Sequence, residues 1–231
     1  MRKVVFLFIG ILIAGNFFCQ DNREGTTMKK TNYEIIQLPE PKYKSNTSIE
    51  EALLKRRSVR DYKPEPLSIA EVSQILWAAQ GITDDIDRLR TAPSAGALYP
   101  LEIYLVAANV KDLSAGIYKY NPQSHSIKKI LEGDKRTEIS NASLRQESIE
   151  SSSALVVISA IYERTSVKYG KRTERYVNME VGHVGQNIYL KAVSLGLGTV
   201  MIGAFEDDKL KKALGLPSDE FPLAVYPLGK I

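Results

Sequence analysis

Three short stretches of this 231-residue sequence hold residue types that can do chemistry at their spacing. The run Arg56-Arg57-Ser58-Val59-Arg60 puts three guanidinium groups and a hydroxyl just beyond an expected helix end. Paired guanidinium donors match phosphate oxygens, so the run can grip a phosphate. The same cations would also complement the negative C-terminal end of the helix, and the run alone leaves both readings open. Thr91 to Pro100, TAPSAGALYP, joins small residues to two prolines ahead of an apolar run. That suits either a rigid loop letting something flat approach its backbone or a plain turn. From Gly182-His183 through Gln186-Asn187 to the Gly196–Phe205 stretch, a helical pattern passes into a strand and then a small-residue corner, where glycine lets a backbone N–H face a ligand. Lys168-Tyr169-Gly170 adds an amine beside a phenol. Such a pair can move a proton if burial tunes either group, and otherwise reads as a solvated cation and a packing tyrosine. His183 reads as a structural histidine in a long helix, and His125 as an exposed residue in a hairpin turn.

Positioning these residues requires a framework. Ser48 with Glu51 forms a capping box that opens a helix ending near Arg57. Ser68 with Glu71 opens a second helix, in which Val72, Ile75, Leu76 and Ala79 recur at helical spacing and Gly81 stands at the C-cap. Glu102 to Ala107 and Ala154 to Ile161 read as buried strands, and Gly116 to Tyr120 with Ser126 to Ile130 as a hairpin around Asn121-Pro122. Val177, Val181, Val184, Ile188 and Val193 mark a long helix from about Thr173 to Leu195, closed by Gly196. Thr199 to Ile202 is expected as a strand, Asp207 to Leu214 as a helix and Leu223 to Leu228 as a final strand. Helices and strands mix without regular βαβ alternation, so the fold class is α+β.

The order and content of the three stretches resemble the nitroreductase-like flavoprotein family, and within it the SagB-type branch that includes azoline dehydrogenases. The resemblance runs from about Ile49 to Lys230. It implies a central, mainly antiparallel sheet surrounded by helices, a homodimer, and FMN as cofactor. Arg56, Ser58 and Arg60, with Arg57 close by, would hold the FMN phosphate and ribityl chain. Pro93, Ser94, Ala95 and Gly96 would line the isoalloxazine bound to the partner subunit, and Ile202, Gly203 and Ala204 its other edge. Lys230 matches the further basic residue that family members often carry for the phosphate. Lys168 and Tyr169 match the branch's Lys-Tyr pair and would be the catalytic residues. The implied activity is hydride transfer between flavin N5 and a small-molecule or peptide substrate, with the electron donor left open. The alternative is an exported flavin-binding module for storage or sensing, without turnover.

Composition sets the bounds. Hydrophobic residues at 44% and charged residues at 25% argue against disorder, collagen or a multispanning membrane protein. The formal charge of +4 is small, and no Lys/Arg-rich face accompanies it, so no nucleic-acid partner is expected. The single cysteine, Cys19, leaves the domain without a disulfide or thiolate metal site, and no metal is expected. Met1-Arg2-Lys3 followed by an apolar run from Val4 to Ala14 reads as an export signal or membrane anchor over residues 1–19. Cys19 is a candidate lipidation site, although Asn16, Phe17 and Phe18 are larger than the residues that normally precede one. The protein is therefore expected outside the cytoplasm, periplasmic or membrane-anchored, touching membrane only through this segment. Residues 20–47 read as a linker, with a short extended piece at Tyr33 to Leu38, and residues 48–231 as one domain.

Overall fold

The computed structural model describes residues 35–231. The signal or anchor at 1–19, Cys19, and the linker up to residue 34 lie outside the described residues. The elements in chain order are β1 (Ile35–Gln37), α1 (Ile49–Lys55), α2 (Ile69–Gln80), β2 (Leu101–Ala107), β3 (Gly116–Asn121), β4 (Ser126–Glu132), α3 (Arg136–Ala142), α4 (Glu147–Glu150), β5 (Ala154–Ala160), α5 (Glu163–Tyr169), α6 (Thr173–Ser194), β6 (Leu197–Thr199), α7 (Asp207–Leu214) and β7 (Phe221–Lys230). The strands form one seven-stranded sheet in the order β1-β4-β3-β2-β5-β7-β6, and every pairing is antiparallel. This is the expected α+β architecture.

Antiparallel sheets often leave one face wet and then alternate apolar and polar residues. This one is covered on both faces. Leu101, Ile103 and Leu105 of β2 point with Val156 and Ile158 of β5 into a core closed by Val72, Ile75 and Leu76 of α2 and Val177, Val181 and Ile188 of α6. Tyr104, Val106, Leu155 and Val157 point the other way, against Ile139 of α3, Ile149 of α4, and Leu210 and Leu214 of α7. Both sides of β2 and β5 are thus largely dry, which is why, Glu102 and Ser159 apart, they read as apolar runs. Each fully buried aliphatic side chain stabilises the fold by about 1.5–3 kcal/mol.

The structure corrects several expectations. Ile35–Gln37 pairs with Ser126–Lys128 of β4, and Leu38 is buried, so this part of the expected linker belongs to the sheet. The Ser48 side chain accepts from the Glu51 N–H, whereas only Ser68–Glu71 forms a complete capping box. The strand expected at Thr199 to Ile202 lies instead at Leu197–Thr199, with a separate bridge from Ile202 to Val225. Thr199 pairs with Leu228, so the same register would set Val200 opposite Pro227 and Met201 opposite Tyr226. Pro227 has no N–H to donate, and the Met201 N–H is drawn to the Tyr189 hydroxyl at 2.7 Å, so the ladder lapses there. His125 is half-buried rather than exposed. Its ring bonds Tyr120 Oη at 2.9 Å and Ser73 Oγ at 2.8 Å, and burial lowers its pKa. His183 is exposed on α6, not a core residue. Among the described residues, no helix is long and apolar enough to cross a membrane.

Candidate active site

Helix α1 ends at Lys55, and the Arg56 backbone leaves it in an extended direction. The following run is stitched to β6: the Val59 N–H donates to Thr199 O at 2.9 Å, and the Tyr62 hydroxyl donates to Val59 O at 2.8 Å. Gly198 permits this close approach, since a Cβ there would lie 2.7 Å from Val59 Cγ1 and 2.6 Å from Ile231 Cγ2. Val59 is half-buried, and its neighbours Ser58 and Arg60 are exposed. Arg57 donates to the carbonyls of Leu54 and Arg56, so it is the cation that closes the helix end. Arg56 lies over the Tyr189 ring at 5.2 Å, and Ser58 Oγ is 3.3 Å from the Tyr189 hydroxyl. Among the described residues neither Arg56 nor Arg60 has a carboxylate partner. The Lys230 ammonium is paired with Glu71 of the α2 capping box.

Tyr189 of α6 joins this run to the third stretch, because it also receives the Met201 N–H. Beyond Met201, Ile202 is buried in its bridge to Val225, while Gly203 and Ala204 are exposed. Thr199 Oγ1 is buried beside the run without a hydrogen-bond partner.

The second stretch forms a tight turn. Ser94 Oγ accepts from the Tyr99 N–H at 2.9 Å and donates to Glu180 Oε2 at 2.5 Å. Gly96, Ala97 and Tyr99 all have positive φ, of 64°, 54° and 46°; for the last two this is strained backbone, which clusters at functional sites. A Cβ on Gly96 would lie 2.9 Å from Lys168 Nζ and 3.0 Å from Tyr169 Oη, so the Lys-Tyr pair sits directly over this loop. Both residues come from the last turn of α5, and the Tyr169 ring rests on Tyr176 of α6 at 4.6 Å. Pro93 is exposed, and Ser94 and Ala95 are half-buried.

Glu180 was not anticipated from sequence. It is 2% exposed and accepts from Ser94 and, at 3.5 Å, from Gln80 Nε2. Burial pushes its pKa up to about 7, against the opposing pull of those hydrogen bonds and of Arg90. A periodic signal was available: Glu180 stands three residues after Val177 and four before Val184, on the buried stripe of α6.

The structure thus builds two clusters, one around Tyr189 and one around Ser94, Lys168 and Glu180. Glu180 and Tyr189 are nine residues apart on α6, about 13 Å along the axis and on opposite sides of an ideal helix. None of the contacts described joins the clusters directly.

The sequence profile of the nitroreductase family matches residues 53–230. The chain belongs to the nitroreductase family. A Methanocaldococcus jannaschii protein assigned by name to the nitroreductases is 47% identical over 195 residues, covering 84% of this chain and 96% of that one. The microcin B17-processing protein McbC of Escherichia coli is 28% identical over 171 residues, 71% of this chain but only 63% of McbC. A crystal structure from Ralstonia eutropha, also assigned by name to the nitroreductases, superposes with a TM-score of 0.77 at 28% identity, covering 87% and 90% of the two chains. The protein is a nitroreductase-family oxidoreductase. Both clusters fall within the matched region, and the Arg56–Arg60 run lies near its start.

Proposed function

We propose that this nitroreductase-family protein is an FMN-dependent oxidoreductase acting on a small-molecule or peptide substrate, with two sites shared across a homodimer. The reading is carried by the donors of the Arg56–Arg60 run, of which Arg56 and Ser58 meet Tyr189. Arg56, Ser58 and Arg60 offer two guanidinium groups without carboxylate partners and a hydroxyl, and the Thr199 hydroxyl beside them is buried without a partner. That chemistry fits a phosphate with a polyol chain. When bound, FMN supplies the hydride chemistry, and the polypeptide supplies positioning and electrostatics.

The chain's own residues then have distinct roles. Arg56, Ser58 and Arg60 hold the phosphate end, while Arg57 completes α1. Gly203 and Ala204 leave exposed backbone for the ring. The Pro93–Gly96 loop, locked by Glu180 through Ser94, faces the ring held by the partner, and Lys168 and Tyr169 over Gly96 move the substrate proton. Two observations favour sharing between subunits: the clusters lie apart along α6, and α1 exposes Ile49, Leu53 and Leu54 beside the arginine run. A peptide substrate is suggested by the likeness to McbC, which by name processes microcin B17.

The test is to purify the chain without residues 1–20, record its visible spectrum and follow anaerobic bleaching with candidate electron donors. A bound flavin that is reduced and then reoxidised by an acceptor is expected. A colourless protein that does not take up FMN would refute the reading, and tight FMN binding without either half-reaction would favour the storage or sensing module. Export is a further part of the proposal, resting on the basic start and apolar run of residues 1–19. Cell fractionation with N-terminal sequencing checks it, and cytoplasmic protein retaining Met1 would count against it.

A further inference from the structure

A second concavity lies at the end of the sheet, away from the Tyr189 cluster. It has a volume of about 650 Å³ and is bounded by the start of β2, the β3–β4 turn, the end of α2 and the beginning of α5. Four cationic side chains line it: Arg90, Lys119, Lys128 and Arg164. Two carboxylates oppose them. Glu102 is shared by Arg164 and Lys119, and Glu220 binds Lys119 at 2.7 Å from behind. Arg90 and Lys128 are left without a carboxylate partner among the described residues.

Arg90 is the informative member. Its guanidinium lies over the Tyr99 ring at 4.3 Å and donates through Nη1 to Gln80 Oε1 at 3.0 Å. Nε is buried and donates to nothing, and Nη2 makes no hydrogen bond among the described residues. Nη2 is thus the donor left for a ligand, and an oxyanion set against it is drawn also by the unpaired Nε–H behind. Partial burial lowers the pKa of Arg90, against the opposing pull of Glu102, Tyr99 and Glu180. A half-buried cation with an unused donor edge favours a ligand that satisfies it. Leu101, Ile103 and Ile130 also line the cavity, giving it apolar surface that suits a ligand that is part hydrocarbon.

We propose that this cavity binds an organic oxyanion, a carboxylate or phosphate group on an apolar body, with Arg90 gripping the charged end and Lys128 and Arg164 flanking it. Arg164 and Lys168 are four residues apart on α5, so the site lies one helical turn from the Lys-Tyr pair. It also reaches the active-site loop through a chain of hydrogen bonds, from Arg90 to Gln80, from Gln80 to Glu180, and from Ser94 to Glu180. The binding site stands on the cavity alone, while any role in presenting substrate rests on the reading of Lys168 and Tyr169 given above.

Calorimetric titration of the purified protein tests it, at constant ionic strength, with benzoate, phenyl phosphate and uncharged benzamide. Saturable binding of benzoate or phenyl phosphate is expected, with benzamide at least tenfold weaker, and the stronger acid tells a carboxylate source from a phosphate source. Arg90→Gln should weaken the acid about tenfold. Lys128→Gln, which changes an exposed side chain with no partner among the described residues, should weaken it about threefold without disturbing the fold. Benzamide binding as tightly as the acids, or acids binding unchanged to both variants, would overturn the proposal. No electron donor is present, so loss of the flavin reading leaves this result interpretable. A protein whose flavin turns over but which binds neither acid sinks this inference alone.

Discussion

Replacing Glu180 by glutamine keeps the size and hydrogen-bonding shape of the side chain but removes its charge. In the folded chain Glu180 is 2% exposed and ionises at about 7, against 4.5 for an unburied glutamate. Between those values the folded chain holds a proton that the unfolded chain has lost, so stability must fall as pH rises through the window. The stabilisation is fully present below 4.5 and gone above about 7. At about 1.4 kcal/mol per pH unit, and allowing for relaxation of Arg90 and nearby water, the loss amounts to about 2–3 kcal/mol. The Glu180→Gln protein, which has no such proton to lose, should match wild type near pH 5. It should exceed wild type by about 2–3 kcal/mol near pH 8, or roughly 5–10 °C in melting temperature for a domain of this size. Differential scanning calorimetry across that range is the assay. Parallel profiles for the two proteins would refute the assignment of the titration to Glu180. So would a variant weaker by the same amount at every pH, which would mean that the Ser94 hydrogen bond matters and the charge does not.

Three further outcomes are expected. Arg60→Ala should weaken FMN by about 1.5–3 kcal/mol, one to two decades in affinity, and riboflavin hardly at all, as read by fluorescence titration; equal loss of both ligands would make Arg60 structural. Tyr169→Phe should lower kcat by about 10²-fold or more while leaving the flavin spectrum and its affinity intact, since only a proton-transfer group is lost; unchanged kcat would return Tyr169 to a packing role. Leu54→Glu puts a charge on the exposed face of α1 and should shift sedimentation from dimer to monomer with concomitant loss of flavin; a flavin-loaded monomer would exclude the shared-site arrangement.

Local signals explain what sequence reasoning captured. Helix α2 carries its start in Ser68 and Glu71, which bond each other reciprocally, and its face in Val72, Ile75, Leu76 and Ala79. The β5 run could be read because both faces of the sheet are covered. By contrast α3, α4 and α5 span seven, four and seven residues and start without a side-chain cap, so neither period nor boundary stands out. In the site, the arginine run and the small-residue loop were visible as local composition. The role of Tyr189 was not, because it depends on Ser58, 131 positions away. Nor was the pairing of the Lys230 ammonium, which lies with Glu71, 159 positions away.

The strand order bears on the order of folding. β7 is made after every other strand, yet it lies between β5 and β6, and β6 touches the sheet only through it. Until β7 is delivered, β5 presents a bare apolar edge and β6 has nothing to pair with. The Arg56–Arg60 run is stitched to β6 at Thr199, so the earliest of the three stretches to be synthesised waits for the latest strand before it takes its shape. Such distant pairings close slowly and leave a sticky intermediate exposed meanwhile. A nascent chain of this topology therefore depends on whatever shields β5 during that interval, and its yield in the cell should respond to chaperone supply more than to the stability of the finished fold.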